Sequence, residues 1–361
     1  MFNREDVQET REMINPAHIN RVLLFAHMGI GNLIMFMPAM RTFRNYFSGA
    51  SFSLVTSRQR IGNFKDLVRD LIDEYIPFNG SHAGIIERER FVSSIKEKNF
   101  DLLIKNFLGD YNNLLGKLDV PHRVGHISSG GFKIRRDGVF NHPAVMKKDE
   151  HEIDRNMELC YAIGIEDICK DFRISLGVNE RRWAHDFLAA YDINNPMVCM
   201  QIGTSKGSDW KEWSGFGDLA ELVGKETRIA LLGDKNAVPK ADCIKKSTPS
   251  VINLVGETTL MQAAAILERA KLLVSNDGGL IWLAQALSTP VVVIYGPTDH
   301  TRTGPVGPKD KIIRKELPCS PCYRTPKDYY KPRRCRLRRC LSTITPDEVA
   351  EEVIKTMSNL K

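Results

Sequence analysis

The chain has 361 residues, 42% of them hydrophobic and 26% charged, enough for two domains with a core each and too balanced for a fibrous or disordered protein. Its formal charge of +7 is local: Lys309 to Arg339 holds 12 Lys/Arg against 3 Asp/Glu, and the remainder carries 39 against 41. One basic segment on a slightly acidic body excludes a general nucleic-acid coat and points to a localised anionic partner.

The first twenty residues are polar and carry both signs of charge, so no secretory signal is expected. Eight cysteines without such a signal imply a reducing, cytoplasmic setting. Val22 to Met40 is 19 residues without a charge, long enough on paper to cross a bilayer. His27, Gly29, Gly31, Asn32 and Pro38 interrupt it, so a strand, a glycine turn and a helix are the better reading. Short apolar runs then alternate with helical spacing, the pattern of parallel α/β architecture. Strands are predicted at 22–26, 52–56 and 102–105, with helices at 33–47 and 150–163. After a boundary near Leu176 comes a helix at 179–190, then strands at 197–201, 228–232, 272–275 and 291–295. Helices are predicted at 216–224, 260–269, 280–287 and 345–359. The expected division is 1–176, 177–344 with a basic, Cys-rich loop at 309–340, and a closing helix at 345–361. Two such halves facing each other leave a cleft, the default ligand site at the carboxyl ends of the strands.

Four turns carry the chemistry. His27-Met28-Gly29-Ile30-Gly31-Asn32 follows a strand and opens a helix, where glycines allow close backbone approach and the helix N-terminus offers N–H donors. A dinucleotide fingerprint needs a third glycine where Ile34 stands, so a nicotinamide oxidoreductase is disfavoured. Gly203-Thr204-Ser205, with Lys211 shortly after, suits a diphosphate: hydroxyls and N–H groups donate and the lysine neutralises charge. A solvated surface lysine is the plain alternative, and Trp213 reads as core. Asp277-Gly278-Gly279, between a strand and a helix, can accept from ribose hydroxyls and set backbone against phosphate, or be a simple helix cap. Gly296-Pro297-Thr298-Asp299 reads as an ordinary turn.

Taken together, RVLLFAHMGIGNLIMFMPAMR, the GTS…KEW stretch, GETTLMQAAAIL and AKLLVSNDGGLIWLAQALSTPVVVIYGPTDHTRTGPVGP, followed by CSPCY and ITPDEV, resemble glycosyltransferase family 9, the bacterial lipopolysaccharide heptosyltransferases. The resemblance implies a GT-B architecture of two Rossmann-like domains, an inverting reaction and no required metal. It implies a nucleotide-sugar donor, ADP-heptose first, held by the second domain, and a lipid-linked or lipopolysaccharide-core acceptor held by the first. By position, Thr204, Ser205 and Lys211 would meet the diphosphate. Asp277, Gly278 and Gly279 would hold ribose and phosphates, and backbone at Thr258, Thr259 and Leu260 would frame the base. Gly29, Gly31 and Asn32 would form the acceptor-side loop.

Two positions depart from the family pattern. Asn32 stands where an Asp is assigned as catalytic base, and an amide cannot take a proton. His27 and Asp110 are the substitutes the sequence offers, and a non-catalytic sugar or nucleotide-sugar binder is the rival reading. Trp282 stands where many relatives carry His, which loosens the donor assignment. Cys319-x2-Cys322-x12-Cys335-x4-Cys340 has the spacing of a structural zinc site; four reduced thiols are the alternative. The basic segment would also meet an anionic membrane surface.

Overall fold

The computed structural model describes residues 13–106, 111–128, 138–147, 149–191, 197–324, 328 and 330–360. The chain forms two compact units, Met1–Phe172 and Arg173–Lys361.

In the first unit, Val22 to Phe25 are each at most 1% exposed, the continuous apolar run of a strand covered on both faces. This is β1 (Arg21–Phe25). It lies at the centre of a six-stranded sheet with β2 (Ser51–Thr56), β3 (Glu74–Pro77), β4 (Leu102–Lys105), β5 (His122–Ser128) and β6 (His142–Met146). The order is β3-β2-β1-β4-β5-β6, all parallel. The charge-free stretch does divide: β1, a turn at 26–29, then α1 (Ile30–Tyr46). Pro38 sits inside α1, and the Thr42 hydroxyl donates to the Pro38 carbonyl at 2.9 Å while accepting the Cys169 N–H at 3.0 Å. α1 packs on α4 (Glu152–Tyr161), with α2 (Arg58–Leu67) and α3 (Ile85–Glu97) elsewhere in the unit. Among the described residues no helix is long and apolar enough to cross a membrane.

The second unit repeats the plan. β7 (Val198–Gln201), β8 (Ile229–Leu232), β9 (Ile252–Asn253), β10 (Leu272–Asn276), β11 (Val291–Ile294) and β12 (Lys311–Ile313) form a parallel sheet. Its order, β12-β11-β10-β7-β8-β9, is that of the first sheet read from the other edge. Its helices are α5 (Val178–Ala190), α6 (Phe216–Val223), α7 (Val238–Ser247), α8 (Leu260–Arg269), α9 (Gly279–Ala286) and α10 (Pro346–Ser358). Thr345 caps α10 by accepting the Glu348 N–H at 3.2 Å, as its sequence predicts.

Both units therefore have the doubly wound nucleotide-binding order. In each, the order reverses between two central strands, β1 and β4 or β7 and β10. Crossovers leave in opposite directions there, so the carboxyl ends open a crevice. Those four strand ends carry every motif singled out above except the Gly296 turn, the Thr258–Leu260 segment and the cysteines.

Candidate functional site

In the second unit, Gln201 and Ser275 are register partners at the ends of β7 and β10. The Ser275 hydroxyl donates to Gln201 Oε1 at 2.7 Å and so ties the two ends together. Gly203 follows β7; a Cβ there would lie 2.7 Å from Ala237 Cβ, so no larger residue fits the turn. The next residue differs from expectation. Thr204 is buried, and both its N–H (2.9 Å) and its hydroxyl (3.0 Å) donate to Glu212 Oε1. Its proton is committed to Glu212, so in this arrangement Thr204 shapes the loop and offers a phosphate no donor. Glu212 Oε2 in turn pairs with Lys240. Ser205 is exposed; its hydroxyl lies 3.4 Å from the Ser208 hydroxyl, and its carbonyl accepts the Ser208 N–H at 2.9 Å.

Lys211 is not a solvated surface lysine. Its side chain is 18% exposed, and Nζ lies 3.3 Å from Asp277 Oδ2, itself 14% exposed. Two residues from separate motifs thus meet as an ion pair at the strand reversal. Burial first, and then the Asp277 carboxylate, push the Tyr295 phenol well above its usual pKa, and the Tyr295 hydroxyl donates to the Thr303 carbonyl at 2.6 Å. Gly278 caps α9 with no side-chain cap, and Gly279 is the first helical residue. The first-turn N–H groups there lack intrahelical partners and carry the positive end of the dipole. A Cβ on Gly278 would stand 3.0 Å from Gln201 Nε2. Trp213 is core: its backbone N–H donates to Asn276 Oδ1 (2.8 Å) and its indole to the Ile344 carbonyl (2.9 Å). Thr259 is engaged in a capping box with Gln262, and Leu260 opens α8. Thr258 precedes them, half-buried. Glu212, Gln201 and Tyr295 were not legible as site residues.

In the first unit, Phe25 and Lys105 are register partners at the ends of β1 and β4. His27 Nε2 lies 3.2 Å from the Phe78 carbonyl. A carbonyl only accepts, so Nε2 bears the proton and the lone pair is on Nδ1. Burial, and then the nearby Arg60 charge, lower the His27 pKa below its usual 6.5, so the ring is neutral at pH 7. Gly80 has φ +64°, and a Cβ on it would fall 2.7 Å from both the His27 ring and the Tyr111 hydroxyl; only glycine allows that approach. Gly29 caps α1, and Gly31 and Asn32 lie in its first turn, Asn32 half-buried. Asp110 lies outside the described residues.

A polar cluster that the sequence reading missed surrounds the end of β4. Lys105 and Asn106 are 3% and 2% exposed. Lys105 donates to the Asn106 carbonyl and stands 5.8 Å from the Tyr111 ring centroid. His126, on β5, meets the Arg155 carbonyl at 2.7 Å, and Arg155 pairs with Glu152 at 2.7 Å. Burial brings the His126 pKa down to about 3.

Residues 88–331 match the model of glycosyltransferase family 9 (heptosyltransferase). The chain belongs to that family. It is 24% identical to lipopolysaccharide heptosyltransferase 2 of Salmonella typhimurium, over 94% of this chain and 99% of that one. Its fold is similar to that of the Escherichia coli ADP-heptose lipopolysaccharide heptosyltransferase II (TM-score 0.72, 22% identity, 94% of this chain and 99% of that one). It is similar too to TibC of enterotoxigenic E. coli, a dodecameric iron-containing heptosyltransferase solved with ADP-D-β-D-heptose (TM-score 0.58, 16% identity, 97% and 78% covered). The two doubly wound α/β units are those of a GT-B glycosyltransferase.

Cys319, Cys322, Cys335 and Cys340 are neighbours. Burial first, then the other thiols, raise the Cys322 pKa and bring Cys340 up to about 11. Among the described residues, no three His, Cys, Asp or Glu side chains are arranged to hold a metal ion. As placed, the four cysteines do not form such a group, and the chemistry below uses none of them. Of the others, Cys160 and Cys199 are buried, and Cys243 is exposed.

Proposed function

We propose that this glycosyltransferase moves a heptose from ADP-heptose to a lipopolysaccharide-core acceptor, with inversion and without a divalent cation. One observation carries the reading: Lys211 is held beside Asp277 at the strand reversal of the second unit, close in sequence to the Ser205 turn and beside the residues that open α9. The relatives named above are heptosyltransferases, and two of them are named or solved with ADP-heptose.

In this mechanism the acceptor oxygen attacks the anomeric carbon as the bond from that carbon to the β-phosphate oxygen breaks. ADP leaves with the electron pair. Lys211, the Ser205 hydroxyl and the first-turn N–H groups of α9 stabilise the charge that grows on the diphosphate, which is the work a divalent cation does elsewhere. To do so Lys211 exchanges Asp277 for phosphate, which frees the Asp277 carboxylate to accept from ribose hydroxyls. The acceptor proton goes to His27 Nδ1, a neutral nitrogen with its lone pair free of the Phe78 contact. Asn32 orients the acceptor hydroxyl through its amide. Cations of the basic segment 309–340 other than Arg333 and Arg338 meet the acceptor's phosphates and acid sugars, and the anionic surface they sit in.

The test is transfer from ADP-heptose to a heptose-deficient lipopolysaccharide core, with and without EDTA, reading the anomeric configuration of the product. Transfer that survives EDTA and inverts the anomeric centre is expected. Loss with EDTA, or retention, overturns the mechanism. Asn32 specifically favours the second reading, a non-catalytic binder. That reading holds if no donor supports transfer while Asn32→Asp confers it.

A further inference from the structure

The basic segment does more than carry charge. It lies on the loop that precedes Lys211. Arg333 donates to the Gly207 carbonyl, and Gly207 has φ +81°, a left-handed conformation natural to glycine. Arg338 donates to the Asp209 carbonyl at 3.1 Å and lies 3.5 Å from the Asp209 carboxylate. The Tyr323 and Trp210 rings stand 5.3 Å apart. The short helix Tyr330–Arg334 packs on the 3₁₀ turn Asp209–Lys211.

The segment is itself anchored at both ends. On one side, the Cys322 and Tyr323 N–H groups donate to the Pro297 carbonyl at 3.0 and 2.8 Å, and the Ser320 hydroxyl donates to Gly296 O at 2.7 Å. The turn that read as ordinary is thus a docking point. On the other side, Leu341 and Ile344 are buried in the core of the second unit. The loop it grips has little to fold around: Ser205, Lys206 and Gly207 are exposed, and Trp210 is its one buried apolar residue. A polar loop with so few apolar contacts depends on its polar partners, Arg333 and Arg338 among them.

We propose that Arg333 and Arg338 clasp the donor-phosphate loop Ser205–Lys211 and act as its positioning residues. The inference rests on the reading of Lys211 and Ser205 as donor ligands. It makes the cation run part of the donor site's support, and it makes Asp209, an acid beside a phosphate loop, the partner that the clasp requires. An arginine that simply attracted phosphate would be hindered by that acid. A clasp needs it.

The test measures ADP affinity by calorimetry, and KM for the nucleotide sugar and the acceptor separately, in Arg338→Ala, Asp209→Ala, the double variant and Lys211→Ala. The clasp predicts that Arg338→Ala weakens ADP binding roughly 5- to 10-fold, as for a lost charge-assisted hydrogen bond, and that Asp209→Ala, which keeps the carbonyl that Arg338 reaches, weakens it less. The double variant should be no worse than Arg338→Ala alone, and the acceptor KM and the unfolding temperature should hold. Arg338→Lys should rescue only partly, because an ammonium lacks the fork that reaches both Asp209 oxygens. Trypsin should cut at Lys206 faster in Arg338→Ala. If Lys211→Ala leaves ADP affinity unchanged, the donor reading itself fails and the clasp with it. If Lys211→Ala weakens binding but neither Arg338→Ala nor Asp209→Ala does, the clasp alone is overturned. If Arg338→Ala weakens binding while Asp209→Ala strengthens it, the arginine touches the ligand and is no clasp.

Discussion

The two units share one strand order, and they equip the same strand reversal in opposite ways. In the second, the side chains at the crevice are already bound to each other: Thr204 to Glu212, Lys211 to Asp277, Ser275 to Gln201. In the first, the corresponding loop is glycines around a neutral imidazole, backed by the buried Lys105 and Asn106. A diphosphate is the same in every donor, so a network of charges assembled before binding suits it, with one exchange of Asp277 for phosphate at Lys211. An acceptor hydroxyl needs a base and room. The difference is one between a preset electrostatic site and an open loop with one basic nitrogen.

That contrast can be broken at either end. The largest effect is expected from His27→Ala, which should lower kcat by about 10²–10⁴-fold, the usual worth of general-base assistance, and leave donor KM unchanged; an unchanged kcat would move the base elsewhere. Next, Lys211→Ala should lower kcat by about 10²–10³-fold, comparable to removing one preorganised charge-stabilising donor, and should cost more in turnover than in donor binding. An effect on KM alone would reduce Lys211 to a binding residue.

Acid should sharpen the contrast through stability. His126 has a folded pKa of about 3, below the unfolded 6.5, so the unfolded chain takes up a proton first. Stability is therefore complete above pH 6.5 and falls as pH drops from there toward 3, by about 1.4 kcal/mol per unit. Denaturant titrations at pH 7 and pH 5 should differ by roughly 2 kcal/mol from this group, and His126→Gln should flatten the slope. A slope unchanged in that variant would show that His126 is not the titrating group. The smallest effect is expected from Glu212→Ala. By leaving the Thr204 N–H and hydroxyl unpaired, it should lower the stability of the fold by about 1–2 kcal/mol in denaturant titration; unchanged stability would show that the pairing does not hold the loop.

The central strands were legible because β1, β4, β7, β10 and β11 are continuous apolar runs that only a doubly covered strand explains. The strands β3, β5 and β6 were not. Glu74–Pro77 is short and half-exposed, and His122–Ser128 and His142–Met146 carry histidines where a core strand would carry valines. At the site, glycine and charge at strand ends revealed which loops matter, but not who pairs with whom. Thr204 reads as a phosphate donor until Glu212, eight residues on, is seen to take its proton. Lys105 and Asn106 close an apolar strand and look like its polar edge; only the fold buries them. The cation run reads as a membrane or acceptor patch, and only the fold shows that Arg333 and Arg338 also reach the loop before Lys211.

The division of labour between the units is tested most directly by titrating ADP calorimetrically into the wild type, Lys211→Ala and His27→Ala. ADP should bind the wild type and His27→Ala alike, and Lys211→Ala at least tenfold more weakly, the loss of about 1.4 kcal/mol that a missing charge-assisted contact brings. If His27→Ala loses ADP binding while Lys211→Ala keeps it, the nucleotide sits in the first unit and the assignment of the two units is reversed.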